Sequence, residues 1–224
     1  MLSAICLFVR KDLSFALGYG GTFIQALMVG ILPIFLMGLA ASELTIPSPR
    51  LAASAFWLAS LISCVLAAPA LYDSERPCLA ALLILPAGSR TIWLCKTISV
   101  FMMLALAQLF YMTATYVFFN LGSAAFSPGI IIGWALCNAG LCAISAMFAP
   151  LVKASKERHL AAILLVPACL PLLLAGINLG SSVFLPEPGT DVWRTILFMA
   201  ATDMVFASLA LLLSPFLLRA AAND

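Results

Sequence analysis

Residues 22–41 read TFIQALMVGILPIFLMGLAA, a run that carries no charged side chain. A helix rises about 1.5 Å per residue, so this run is about 30 Å long, the thickness of bilayer hydrocarbon. It predicts a membrane-spanning helix. Five comparable runs follow, and spans are expected at Thr22–Ala41, Leu51–Leu71, Thr91–Leu121, Pro128–Val152, Leu160–Ser181 and Thr195–Leu218. All are read as helices, because lipid cannot satisfy an exposed backbone and the alternation of barrel strands is absent. Composition agrees. Of 224 residues, 64% are hydrophobic and 9% charged, against about 25% charged in an ordinary globular domain. The expected fold is all-α, one polytopic transmembrane domain over residues 1–224 with almost no soluble mass.

The third run exceeds what a bilayer requires, so its start is expected in the interface or the helix tilts. Lys96 would then snorkel toward the headgroups. Lys and Arg set the orientation. Arg10, Lys11, Arg76, Arg90, Lys96, Lys153, Lys156, Arg158 and Arg219 fall on one side, and Arg50 and Arg194 on the other. The richer side is expected to be cytoplasmic, with both termini there. This asymmetry accounts for the basic residues better than nucleic-acid binding, and no nucleic-acid partner is expected.

At the N-terminus, Arg10, Lys11 and Asp12 follow the apolar stretch Met1–Val9, the reverse of a secretory signal. Leu2, Ile5, Phe8, Val9 and Leu13 recur near helical spacing. Leu2–Leu17 is therefore expected to lie along the interface as an amphipathic helix, the alternative being a buried extension of the first span.

Several chemistries lack their residues. The seven cysteines form no CxxC pair, and the one histidine, His159, has no second histidine with which to share a metal, so the thiols are read as small apolar packing. The chain has neither HExxH nor GxSxG, so no catalysis by it is expected. It also lacks a GxxxxGK[ST] phosphate loop, so any ATP that drives it must bind a separate subunit.

What remains lies in one loop and in polar or helix-breaking residues within spans. Tyr72-Asp73-Ser74-Glu75-Arg76-Pro77 offers Ser74 as a helix cap and Pro77 near a first turn, ahead of the apolar stretch Cys78–Leu85. A short amphipathic helix on the cytoplasmic face fits this pattern, and so does a plain connector. Pro167 and Pro171 share one face of the fifth span, where a kink is expected, either a hinge or a static bend. Asp203, within the sixth span, should face protein or water, in a functional or a packing role. Gln108, Asn138 and Asn178 are read as interhelical hydrogen bonds. Ala139, Ala143, Ser145 and Ala149 are read as a small-residue packing face.

The order of Arg10-Lys11-Asp12-Leu13, the loop ending in Leu82-Leu83-Ile84-Leu85-Pro86-Ala87-Gly88-Ser89-Arg90, Lys96, and the double-proline run Leu164–Leu174 resembles the haem exporter protein B family, CcmB. The resemblance covers the whole chain. It implies an ABC-2-like membrane subunit in the bacterial inner membrane, with an N-terminal interfacial helix and a cytoplasmic coupling helix. It further implies a CcmA-like ATPase partner, CcmC-like, CcmD-like and CcmE-like proteins, and a second copy of the chain. No cofactor is expected on this chain, with ATP on the partner subunit and haem in the complex. The implied role is to couple ATP hydrolysis to release of the haem-loaded chaperone. Tyr72, Asp73, Glu75, Arg76, Leu79, Leu82, Leu83 and Arg90 are the expected contacts to the ATPase. An ABC-2 export permease for a lipid, polysaccharide or drug remains the alternative.

Overall fold

The computed structural model describes residues 2–18, 21–41, 48–73, 88–121, 127–154, 158–184 and 191–223. Within them lie seven helices: α1 (Leu2–Leu17), α2 (Thr22–Ala41), α3 (Pro49–Asp73), α4 (Gly88–Phe119), α5 (Pro128–Ala154), α6 (Arg158–Phe184) and α7 (Val192–Asn223). No strand occurs among the described residues, and α2 to α7 each contain a stretch long and apolar enough to cross a membrane. The chain is a polytopic α-helical membrane protein.

α3 and α7 begin before the expected apolar runs and α5 at its expected start, their first turns built by caps. Ser48 Oγ accepts from Leu51 N (3.4 Å) with Pro49 at the first position of α3, and Ser127 Oγ accepts from Ile130 N (3.4 Å) with Pro128 opening α5. Asp191 Oδ1 does the same for Arg194 N at 3.3 Å ahead of α7. The end of α4 is closed differently. Asn120 adopts a φ of 48°, and Leu121 N reaches back to Tyr116 O at 3.3 Å, the pattern of a left-handed cap. These caps mark one end of the bundle, here the far end. The opposite end carries α1.

α3 and α5 form the centre. Of the residues in their apolar windows 67% are buried, against 17% in α7, so α7 packs on α5 along one side and presents the rest outward. α1 is a separate helix, not an extension of the first span. Gly18 N bonds Ser14 O at 3.0 Å, Gly21 takes a φ of 57°, and α1 packs against α4 and α2. Cys64, Cys95, Cys137, Cys142 and Cys169 are buried and in no disulfide, as small packing residues should be, while Cys6 is exposed. Ala143, Ser145 and Ala149 of the small-residue face on α5 are buried.

Polar side chains stitch the spans at two levels. Gln108 of α4 and Asn138 of α5 exchange both amide hydrogen bonds at 2.8 Å, and Gln108 Nε2 also donates to Ser60 Oγ of α3 at 2.8 Å. Tyr111 OH, one turn farther along α4, donates to the α2 carbonyl of Ala26 at 3.0 Å and lies 2.6 Å from Ser63 Oγ. A Cβ on Gly30 would strike that phenol, so glycine is needed where α2 approaches it. Asn178 does not join these networks. It is exposed, because α6 and α7 diverge there into a groove of about 530 Å³. α6 runs on through Pro167 and Pro171, which line the same groove.

The Gln108 and Asn138 pair yields a double-mutant test. Gln108→Leu or Asn138→Leu strands one amide in an apolar interior and should lower stability by about 1–2 kcal/mol. The double Leu variant should recover part of that loss, measured by thermal unfolding in detergent.

Candidate functional site

At the α1 end of the bundle, Lys96 is 1% exposed and Asp12 is 0% exposed. Lys96 does not snorkel. Its Nζ donates to Asp12 Oδ1 at 2.9 Å and Oδ2 at 3.1 Å, and to the carbonyl of Leu71 at 2.9 Å. The ammonium also lies 5.6 Å from the centre of the Tyr72 ring, within cation–π range. Ser99 Oγ, one turn beyond Lys96 on α4, lies 3.0 Å from Asp12 Oδ2, to which it donates. Tyr72 OH donates to the Ala146 carbonyl of α5 at 3.2 Å.

Each member has a local reason to be there. Lys96 sits more than two turns into α4, whose packing on α1 and α3 leaves its head no path to the headgroups. An internal cation must then find an anion. Asp12 lies on the buried side of α1 with Ala16, four residues on and so on the same face. Leu71 is in the last turn of α3, where carbonyls lack helical partners and carry the negative end of the helix dipole, so a lysine there satisfies both needs. The cluster therefore joins α1, α3, α4 and, through Tyr72, α5.

Its position relative to the expected ATPase contacts is informative. Tyr72 is buried inside the cluster, and Arg90 is exposed in the first turn of α4. Asp73 is the last residue of α3. Glu75, Arg76, Leu79, Leu82 and Leu83 lie outside the described residues. The first border of the segment 74–87 thus belongs to the cluster through Leu71 and Tyr72, and the helix that begins at the second border, α4, carries Lys96 more than two turns farther on. From sequence alone Lys96 is expected to snorkel toward the interface, and Asp12 has no assigned role. The signal that identifies the pair is the rule that an ionisable residue inside a span faces a partner.

Asp203 sits close to the middle of the Val192–Leu218 span and turns inward. Its two carboxyl oxygens are buried without a hydrogen-bond partner, packed where Gly140 of α5 leaves out a side chain that would collide with them. The groove beside Pro167 and Pro171 also includes Arg194, Thr195 and Phe198 of α7. These three sequence candidates lie on α6 and α7 and share no contact with the ion-pair cluster. Among the described residues no group of three or more His, Cys, Asp or Glu is placed to hold a metal.

Removing one partner of a buried ion pair leaves the other charge uncompensated, which costs about 3–5 kcal/mol, whereas replacing both by apolar residues is often neutral. Lys96→Met or Asp12→Leu alone should therefore sharply reduce the yield of folded protein. The double variant should restore folding, measured by monodispersity and melting in detergent. Equal damage from the double variant would show that the pair's geometry is itself indispensable.

Among curated proteins and among solved structures, none matches the chain. The comparison with protein families is positive and nearly complete in extent. The order of features that carries the resemblance, namely the N-terminal charged helix, the loop before α4, Lys96 and the double-proline helix, lies within one continuous match. Six apolar spans without strands among the described residues suit a membrane component of haem transport in cytochrome c biogenesis. With the family pattern described as CcmB protein matching residues 3–223, this chain belongs to the CcmB family.

Proposed function

We propose that this chain is the membrane subunit that couples ATP hydrolysis on a separate cytoplasmic subunit to release of the haem-loaded chaperone in cytochrome c maturation. The observation that carries this reading is the Asp12–Lys96–Leu71–Tyr72 cluster, which ties the end of α3 ahead of the segment 74–87 to α1, to α5 and to α4, the helix that follows the segment. A force applied to that segment would reach α1, α3, α4 and α5 through short, buried bonds. A solvated connector would dissipate it.

Tyr72–Arg90 is the docking element in this reading. Leu79, Leu82 and Leu83 supply an apolar face for a groove on a CcmA-like ATPase, and Asp73, Glu75, Arg76 and Arg90 orient it, in the manner of helix-in-groove recognition. The ATP stays on that partner, and this chain binds no cofactor of its own. The assembly further contains CcmC-like, CcmD-like and CcmE-like proteins, a second copy of this chain and the surrounding lipid of the bacterial inner membrane. Both termini and the ion-pair end face the cytoplasm, because the basic residues concentrate there.

Two experiments test the proposal. Buried apolar anchors dominate such interfaces, so Leu79→Asp with Leu82→Asp should abolish co-purification of the ATPase while membrane insertion persists, and Lys156→Ala with Arg158→Ala should weaken it less. Wild-type recovery of the ATPase by the Asp variant would overturn the docking assignment. For orientation, cysteines introduced at Ser155 and Ser48 should react with impermeant thiol reagents from the cytoplasmic and the outer side respectively. The reverse pattern would invert the topology.

A further inference from the structure

We propose that a cleft in the far half of the bundle is a binding site for an acyl chain of a membrane phospholipid, held as a resident component of the fold. The cleft has a volume of about 640 Å³, within the range of dedicated small-molecule sites. It is formed by the first turns of α3 and α5, the middle and far part of α4 and the last turns of α6, all from segments that cross the hydrocarbon.

Three observations select the occupant. The first is position. The mouth of the cleft is framed by Met102 and Leu109 of α4 and Ile131 of α5, each with a substantially exposed side chain, so it opens sideways toward the lipid. A void that opens to hydrocarbon is filled by what surrounds it, and at this depth that is acyl chains.

The second is wall chemistry. Phe56, Trp57, Trp134 and Phe184 are among the lining side chains, and no charged side chain lines it. The polar side chain of Gln108 at the wall is already engaged by Ser60 and Asn138. An occupant with ionised groups inside the cleft would leave them unpaired, whereas a hydrocarbon chain leaves nothing unpaired.

The third lies beside the cleft, whose wall includes Trp57, a side chain 2% exposed. A neighbouring polar pocket of about 150 Å³ shares Leu179 with the cleft and includes Arg50 and Asp191, charges of both signs at the level of a headgroup.

This inference is independent of the ATPase reading, and its test uses no ATPase. The full-length chain is reconstituted in phosphatidylcholine vesicles with or without dibrominated acyl chains, which quench indole fluorescence on contact. One variant retains only Trp57 (Trp93→Phe, Trp134→Phe, Trp193→Phe), and a second retains only Trp193, which is 65% exposed and meets the surrounding lipid directly. If an acyl chain enters the cleft, the buried Trp57 should be quenched to within about twofold of Trp193 despite its burial. Adding Ala105→Phe, which fills the cleft from α4, should cut Trp57 quenching about twofold or more and leave Trp193 unchanged. Absence of Trp57 quenching overturns the proposal, whether the cleft is then empty or covered by a second copy of the chain. So does quenching that a folded Ala105→Phe variant leaves intact. Should that variant fail to fold, Ile131→Phe narrows the mouth from α5 and gives the same reading, and the comparison of Trp57 with Trp193 stands without either.

Discussion

An ammonium and a carboxylate removed from water each forfeit several kcal/mol of hydration, and their mutual attraction offsets this only when the remaining bonding capacity is also met. Lys96 and Asp12 meet that condition through the Leu71 carbonyl and the Ser99 hydroxyl. The geometry of the α1 end follows from it. α1 must present Asp12 inward, α3 must end where its last carbonyls reach Lys96, and α4 must hold Ser99 one turn beyond the lysine. The arrangement tolerates little adjustment, since a shift of one residue in any of the three helices would break these short bonds.

Farther into the bundle the same constraint acts on neutral groups. The Gln108 and Asn138 amides close on each other, and Tyr111 reaches past its own helix to the backbone of α2. Each network lies on α4 and binds a different neighbour, so α4 is the common rail of the structure, tied to α1, then to α3 and α5, then to α2. α7 takes no part in these networks. It rests on α5 through small residues and offers most of its surface outward. Its inward carboxyl, Asp203, is the exception to complete pairing among the buried acids described.

Much of this was legible in the sequence. Twenty uncharged residues at Thr22–Ala41 can hardly be other than a span, and helices that start ahead of their apolar runs do so at caps such as Ser48-Pro49 and Asp191. Gln108 and Asn138 were read as interhelical bonds because an amide at that depth has few alternatives. The ion pair was not legible in the same way, since a lysine near the start of a long span can also snorkel, and only the docking of α1 removes that option. Asn178 misled for the opposite reason. Its exposure depends on how α6 and α7 diverge, which no single helix encodes. The cleft was invisible altogether, because Phe56, Leu109, Ile131 and Val183 each look like ordinary lipid-facing or core residues until four helices are assembled around one space.

The pairing of Asp12 with Lys96 spans 84 positions of sequence. A chain is synthesised from its N-terminus, so Asp12 leaves the ribosome well before the lysine that neutralises it, and α2 and α3 enter the membrane in the interval. The bonds from Lys96 to Asp12 can therefore form only once α4 is in place, after α2 and α3, so the final seating of α1 depends on a helix made three spans later.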